Sequence, residues 1–139
     1  MACSFAGNDE LNEFIARSDI LVCLLPLTDA TRGFLNGALF ERLPHGAAVV
    51  HVGRGPQLVV PDLIAALDAG RIAEVVLDVT DPEPLPPSHP LWSHERVRIT
   101  PHIASMTQPG SAARVVIDNL RRFARGEALI GLVDRERGY

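Results

Sequence analysis

The sequence predicts an α/β fold, with about four strands of a doubly wound parallel sheet and helices between them. Three observations carry that expectation. The apolar runs Ile20 to Leu25, Ala47 to Val52, Val75 to Val79 and Val97 to Thr100 lack strict alternation, the pattern of parallel strands covered on both faces. Segments with helical spacing separate the runs, and alternating strand and helix implies right-handed crossovers. A length of 139 residues with 47% hydrophobic content suits one domain with a modest core.

Taken in order, Asp9 to Arg17 carries Leu11, Phe14 and Ile15 on one helical face, with Asn8 placed to cap it. The first strand follows, and Cys23 inside it is expected to pack as a small hydrophobe. Gly37 to Arg42 carries Leu39 and Phe40 behind Asn36 as cap, before the second strand. In Pro61 to Ala69, Pro61 suits the first helical turn, Leu63, Ile64 and Leu67 form the stripe, and Gly70 suits a left-handed exit. After the third strand, residues 80–96 hold Pro82, Pro84, Pro86, Pro87 and Pro90, which marks an ordered, proline-stiffened loop and not a helix. Beyond the fourth strand, Ser111 to Arg125 lines up Ala112, Val115, Val116, Asn119, Leu120 and Phe123. Arg121, Arg122 and Arg125 sit near its negative end, with Gly126 beyond it.

Composition removes several function classes. All 13 basic residues are arginine, so mechanisms that need a lysine, such as a Schiff base, are excluded. A net charge of −4 without a basic patch argues against nucleic acid as a partner. No apolar stretch reaches the ~18 residues needed to span a bilayer, and no basic-then-apolar leader opens the chain, so a soluble cytoplasmic protein without a membrane partner is expected. Cys3 and Cys23 make no disulfide framework. His45, His89 and His94 lie in polar turns without metal-ligand spacing and read as surface residues; no metal is expected.

Arg54, Glu83 and His102 stand at or just beyond the carboxyl ends of the second, third and fourth runs, where open α/β sheets place ligands. Arg54 lies in Gly53-Arg54-Gly55, a context that serves a surface turn as well as a ligand site. An arginine there can grip a carboxylate with two parallel hydrogen bonds. His102, in Thr100-Pro101-His102, would alone more often be structural; paired with Glu83, it becomes an imidazole oriented and charged by a carboxylate, which suits protonation of a ketone oxygen. Asp78 at a strand end could be a capping or turn residue.

The same residues carry a resemblance. Leu24-Leu25-Pro26, Gly53-Arg54-Gly55, Leu77-Asp78-Val79 with Glu83-Pro84-Leu85-Pro86-Pro87, Pro90-Leu91-Trp92, Thr100-Pro101-His102 and the terminal Val133-Asp134-Arg135-Glu136-Arg137-Gly138-Tyr139 resemble the D-isomer-specific 2-hydroxyacid dehydrogenases, most closely the glyoxylate/hydroxypyruvate reductase branch. The resemblance runs from about Ser4 to Tyr139. It implies reduction of a small 2-oxo acid, such as glyoxylate or hydroxypyruvate, with NADP or NAD as cofactor. It also implies Arg54, Glu83 and His102 as catalytic residues. Leu25, Pro26, Val52, Gly53, Arg54, Asp78, His102 and Ser105 would line the cofactor, with Asp78 on the nicotinamide carboxamide. His51 departs from the family pattern, which commonly has asparagine there.

The chain contains no G-x-G-x-x-G phosphate loop. The resemblance therefore implies the carboxyl-terminal half of a Rossmann domain over residues 1–139, without the phosphate loop and the substrate domain, and inactive by itself. The first strand would be an open sheet edge, a template for self-association. The alternative reading is a noncatalytic module that oligomerises through that edge or complements a separate partner.

Overall fold

The computed structural model describes residues 3–136 and 138; Arg137 and Tyr139 of the terminal motif lie outside the described residues. The chain divides into two compact units, one running to Ala104 and the other starting at Ser105.

In the first unit the elements run α1 (Leu11–Ala16), β1 (Ile20–Cys23), α2 (Gly37–Phe40), β2 (Ala47–His51), α3 (Val60–Asp68), β3 (Ile72–Leu77) and β4 (Val97–Ile99). The four strands form one sheet in the order β1-β2-β3-β4, with every pair parallel. All four expected strands are present, each ending one or two residues early. The register sets Cys23 against His51, His51 against Leu77, and Leu77 against Ile99. The last residues of all four strands thus form one row. The ladder continues one residue further through Val52 N–H to the Cys23 carbonyl, Asp78 to His51 and Thr100 to Leu77. Four loops therefore leave the sheet side by side.

The expectation of strands buried on both faces needs correction. The core gathers Leu21, Cys23, Val49, Val75 and Leu77 from alternate strand positions with Ile15, Leu39, Phe40, Leu63 and Leu67 from the helices. On the opposite face Ile20 and Val22 are exposed, and Val50 and Val76 only half-buried. The sequence conceals this alternation because both sets of positions are apolar. Cys23 does pack as a hydrophobe: burial pushes its thiol up, against a weaker opposing hydrogen bond at Leu25.

The helix signals fared unevenly. Asn36 caps α2 by accepting from Leu39 N–H at 3.0 Å. Pro61 lies in the first turn of α3, which starts at Val60, and Gly70 follows the helix at φ +70°. Asn8 does not cap α1 with its side chain; Glu10 is the residue at that helix start, and its carboxylate accepts instead from Ala6 N–H. The proline-rich loop contains one short 3-10 turn, Pro90–Trp92, capped by His89 Nδ1 accepting from Leu91 N–H. His94 is also more engaged than a surface histidine. It is half-buried, pairs with Asp68 at 3.4 Å and accepts from Arg96 N–H.

The second unit is α4 (Pro109–Ala124) and the segment after it. Asn119 binds both backbone groups of Ile130, accepting from N–H at 2.8 Å and donating to the carbonyl at 3.0 Å. Arg122 reinforces this fold-back on the Ala128 carbonyl. No described residue of α4 is buried, and Val116, Leu120 and Phe123 stay exposed, so the expected apolar stripe exists without cover. No helix among the described residues is long and apolar enough to cross a membrane.

Candidate active site

The loops leaving the carboxyl row bring the singled-out residues of the first unit to one end of the sheet. Leu25 and Pro26 follow β1, Val52, Gly53 and Arg54 follow β2, Asp78 follows β3, and His102 follows β4. Ser105 opens the second unit and is exposed.

Glu83 and His102 meet. His102 Nδ1 lies 2.7 Å from Glu83 Oε1, with both side chains about two-fifths exposed. A carboxylate can only accept here, so Nδ1 carries the hydrogen and Nε2 is the nitrogen left to face solvent or a ligand. A cleft of about 400 Å³ runs beside the pair, lined among others by Asp78, Thr80, Leu85, Trp92 and Thr100. Trp92 is held there by donating from its indole nitrogen to the Pro86 carbonyl at 2.9 Å. The peptide bonds before Pro82 and Pro84, on either side of Glu83, are cis.

His102 has φ +54°, a left-handed conformation that costs a non-glycine residue of order 1 kcal/mol and needs support from its surroundings. Asp78 supplies it. Its carboxylate accepts from the Thr100 hydroxyl and from the amides of Ile103 and Ala104, both at 2.9 Å, and so grips the chain on both sides of His102. Burial works against the charge on Asp78, but those bonds and the nearby His102 outweigh it and hold the carboxyl below its ordinary range. The sequence marked Asp78 as a turn or cofactor residue and missed this clamp. Of about four acceptor positions on its two oxygens, the chain occupies three.

Arg54 is exposed and curls so that one guanidinium nitrogen donates to the Gly53 carbonyl at 2.7 Å. Four of its five N–H donors remain, enough for a bidentate grip on a carboxylate. Beneath it lie two fully buried polar side chains, His51 and Gln57. Gln57 accepts from Arg54 N–H at 2.8 Å and donates to the carbonyls of Leu25 and Pro26 at 3.1 and 3.0 Å. His51 Nε2 lies 3.0 Å from the Arg54 carbonyl. Gln57 drew no attention in the sequence; it ends the short 3-10 turn Gly55–Gln57, and its only signal is a lone amide just before the apolar residues that lead into α3.

The flanking glycines have a packing reason that sequence did not supply. A Cβ on Gly55 would collide with the Thr80 carbonyl, and one on Gly53 with Gln57 Oε1. The Arg54 turn is therefore pressed against the loop that carries Glu83.

For the nicotinamide half of a dinucleotide the chain offers the remaining acceptor position of Asp78, which suits an amide donor. The pyrophosphate half finds no G-x-G-x-x-G loop in the sequence. Among the described residues no cluster of metal-ligating side chains occurs.

Comparison with known proteins agrees with this fold. Residues 3–104 match the family model of the D-isomer specific 2-hydroxyacid dehydrogenase, NAD binding domain. Among solved structures, a D-isomer specific 2-hydroxyacid dehydrogenase from Xanthobacter autotrophicus Py2, in complex with NADPH and MES, is 46% identical with a TM-score of 0.90. The match covers 97% of this chain and 56% of that one. A probable 2-hydroxyacid dehydrogenase from Rhizobium etli CFN 42, in complex with NADP, HEPES and L(+)-tartaric acid, is 39% identical over 95% of this chain and 43% of that one, with a TM-score of 0.86. An NADPH-dependent glyoxylate/hydroxypyruvate reductase from Sinorhizobium meliloti, in complex with NADP and sulfate, is 35% identical over 96% and 44%, with a TM-score of 0.89. The chain spans about half the length of the structures it matches. It belongs to the D-isomer specific 2-hydroxyacid dehydrogenases, and residues 3–104 belong to their NAD-binding domain.

Proposed function

We propose that this chain supplies the proton donor, the carboxylate clamp and the nicotinamide wall for NAD(P)H-dependent reduction of a small 2-oxo acid, glyoxylate or hydroxypyruvate, to the 2-hydroxy acid. The observation that carries the reading is the 2.7 Å contact between His102 Nδ1 and Glu83, at the same end of the sheet as an arginine with unspent donors. When bound, the reduced nicotinamide supplies a hydride to the 2-oxo carbon. Arg54 holds the substrate carboxylate, and His102 gives the Nε2 proton to the ketone oxygen as negative charge develops there. Glu83 keeps the proton on Nδ1, fixing the ring and stabilising its charged form. Partial exposure of His102 lets water return the proton between turnovers.

Leu25, Pro26, Val52, Gly53, Arg54, Asp78 and His102, all of the first unit, are proposed to line the cofactor. NADP is favoured over NAD, because the Xanthobacter, Rhizobium and Sinorhizobium structures hold NADPH or NADP. The chain alone is expected to be inactive, since the helix start that would orient the pyrophosphate is not in its sequence. We also propose self-association through β1, where Ile20, Val22 and Leu24 stay exposed on the sheet edge.

The test is a chimera in which the preceding region of the Xanthobacter relative is joined to this chain. NADPH oxidation on adding glyoxylate should appear in the chimera, and should fall by about 10²-fold or more with Arg54→Gln or His102→Asn. Equal rates in the wild type and both variants would exclude the reading.

A further inference from the structure

We infer that Gln57 and His51 are the positioning residues of the carboxylate clamp, with Gln57 tying the placement of Arg54 to the nicotinamide wall at Leu25 and Pro26. This rests on the reading of Arg54 given above. A Gly-Arg-Gly turn is cheap to deform, because its flanking residues have access to most backbone conformations. An arginine there needs its peptide groups held if its guanidinium is to meet a carboxylate in one geometry. Both groups of Arg54 are held from below: the amide by Gln57 at 2.8 Å and the carbonyl by His51 at 3.0 Å.

Both holders are fully buried, so water does not compete for these bonds. An apolar side chain would fill the same interior at a lower desolvation cost, and a buried amide persists only where its hydrogen bonds are met. Gln57 meets them by bridging the two loops, taking the Arg54 amide on one end and giving to Leu25 and Pro26 on the other. Gly53 is what leaves room. A Cβ there would strike Gln57 Oε1, and would stand 3.0 Å from the Leu25 carbonyl and 3.2 Å from His51 Cε1.

His51 Nδ1 is buried without a hydrogen-bond partner among the described residues. With Nε2–H donating to the Arg54 carbonyl, Nδ1 is the unprotonated nitrogen of a neutral ring. Burial pushes this histidine down, with the Arg54 carbonyl opposing, which agrees with a donor that stays neutral.

Any shift of the Leu25 and Pro26 carbonyls is thus passed through one side chain to the Arg54 amide. Cofactor seated on that wall and acid held by Arg54 become linked. The His102 and Glu83 pair hangs from other strands and bonds to neither holder, so loss of the bridge should weaken acid binding more than turnover.

The first experiment is amide hydrogen exchange by NMR on the wild-type 139-residue chain. Arg54 N–H should exchange at least about tenfold more slowly than its unstructured rate although the Arg54 side chain is exposed; exchange at the unstructured rate overturns the inference. The second is steady-state kinetics of the chimera with Gln57→Leu. The expected result is a rise in glyoxylate KM of about tenfold, with kcat changed by less than about threefold. An unchanged KM, or a loss confined to kcat, overturns the inference while leaving the function of Arg54 standing. A wild-type chimera without turnover removes both. If Gln57→Leu does not fold, His51→Phe, which keeps a somewhat larger aromatic ring and removes the Nε2 donor, is read by the same split.

Discussion

Asp78 is where the fold and the proposed chemistry meet, and Asp78→Asn isolates its clamp. The substitution keeps volume and one oxygen but removes the charge and turns one acceptor into a donor. The oxygen will serve the Thr100 hydroxyl and the Ile103 amide, leaving an NH2 group against the Ala104 amide. Two bonds then lose their charge assistance, at about 0.5–1 kcal/mol each, and the third is lost at about 1 kcal/mol. Ala104 is exposed, so water can take over its amide, which keeps the total near about 2 kcal/mol. For a chain of this length that corresponds to a fall in Tm of about 8 °C at neutral pH.

The sign with pH follows from the depressed carboxyl of Asp78. Its contribution is complete above the ordinary unfolded-state value of about 4 and is lost as pH falls through the lower folded value. The gap between wild type and variant should therefore close in acid. Thermal melts of the 139-residue chain by circular dichroism, at pH 7 and at several acid points, read both. A gap under about 2 °C at neutral pH, or one that widens toward acid, would refute the clamp.

Other expectations are independent of that one. Gly55→Ala should abolish the folded chain, because its Cβ meets the Thr80 backbone, whereas Gly70→Ala, strained at φ +70° but in open space, should cost about 1 kcal/mol by urea titration. His102→Asn should melt within about 2 °C of wild type, because asparagine tolerates the left-handed region, even as turnover of the chimera collapses. Burial holds His51 below its ordinary 6.5, so the folded ring stays neutral while the unfolded one takes a proton. Stability should fall as pH drops below that value, and His51→Phe should flatten this part of the pH profile. Light scattering should find the chain larger than a monomer, and Val22→Arg on the exposed edge should shift it toward monomer; a sharp wild-type monomer counts against association through β1.

Much of the site was legible because it depends on strand ends. Apolar runs fix where strands stop, and parallel pairing then brings Arg54, Asp78 and His102 to one rim whatever the loops do. Glu83 was singled out through the resemblance that Glu83-Pro84-Leu85-Pro86-Pro87 carries. What stayed hidden depends on register and depth. Nothing in the order of residues tells that the Asp78 carboxylate reaches the amides of Ile103 and Ala104, 25 and 26 positions away. The span from Gln57 to Leu25, 32 positions, is hidden in the same way. The sheet face carrying Ile20 and Val22 misled for a different reason: valine and isoleucine look alike whether covered or open, so composition gave no alternation to read.

This segment is proposed to carry the acid and the clamp for hydride reduction of a 2-oxo acid. The most direct measurement of that role is transfer of deuterium from labelled NADPH to glyoxylate by the chimera, read by mass spectrometry of the product. Glycolate carrying one transferred deuterium per molecule is expected with the wild-type segment, and almost none with Arg54→Gln or His102→Asn. A folded chimera that binds NADPH yet yields no labelled glycolate, or variants that label as well as wild type, would contradict it.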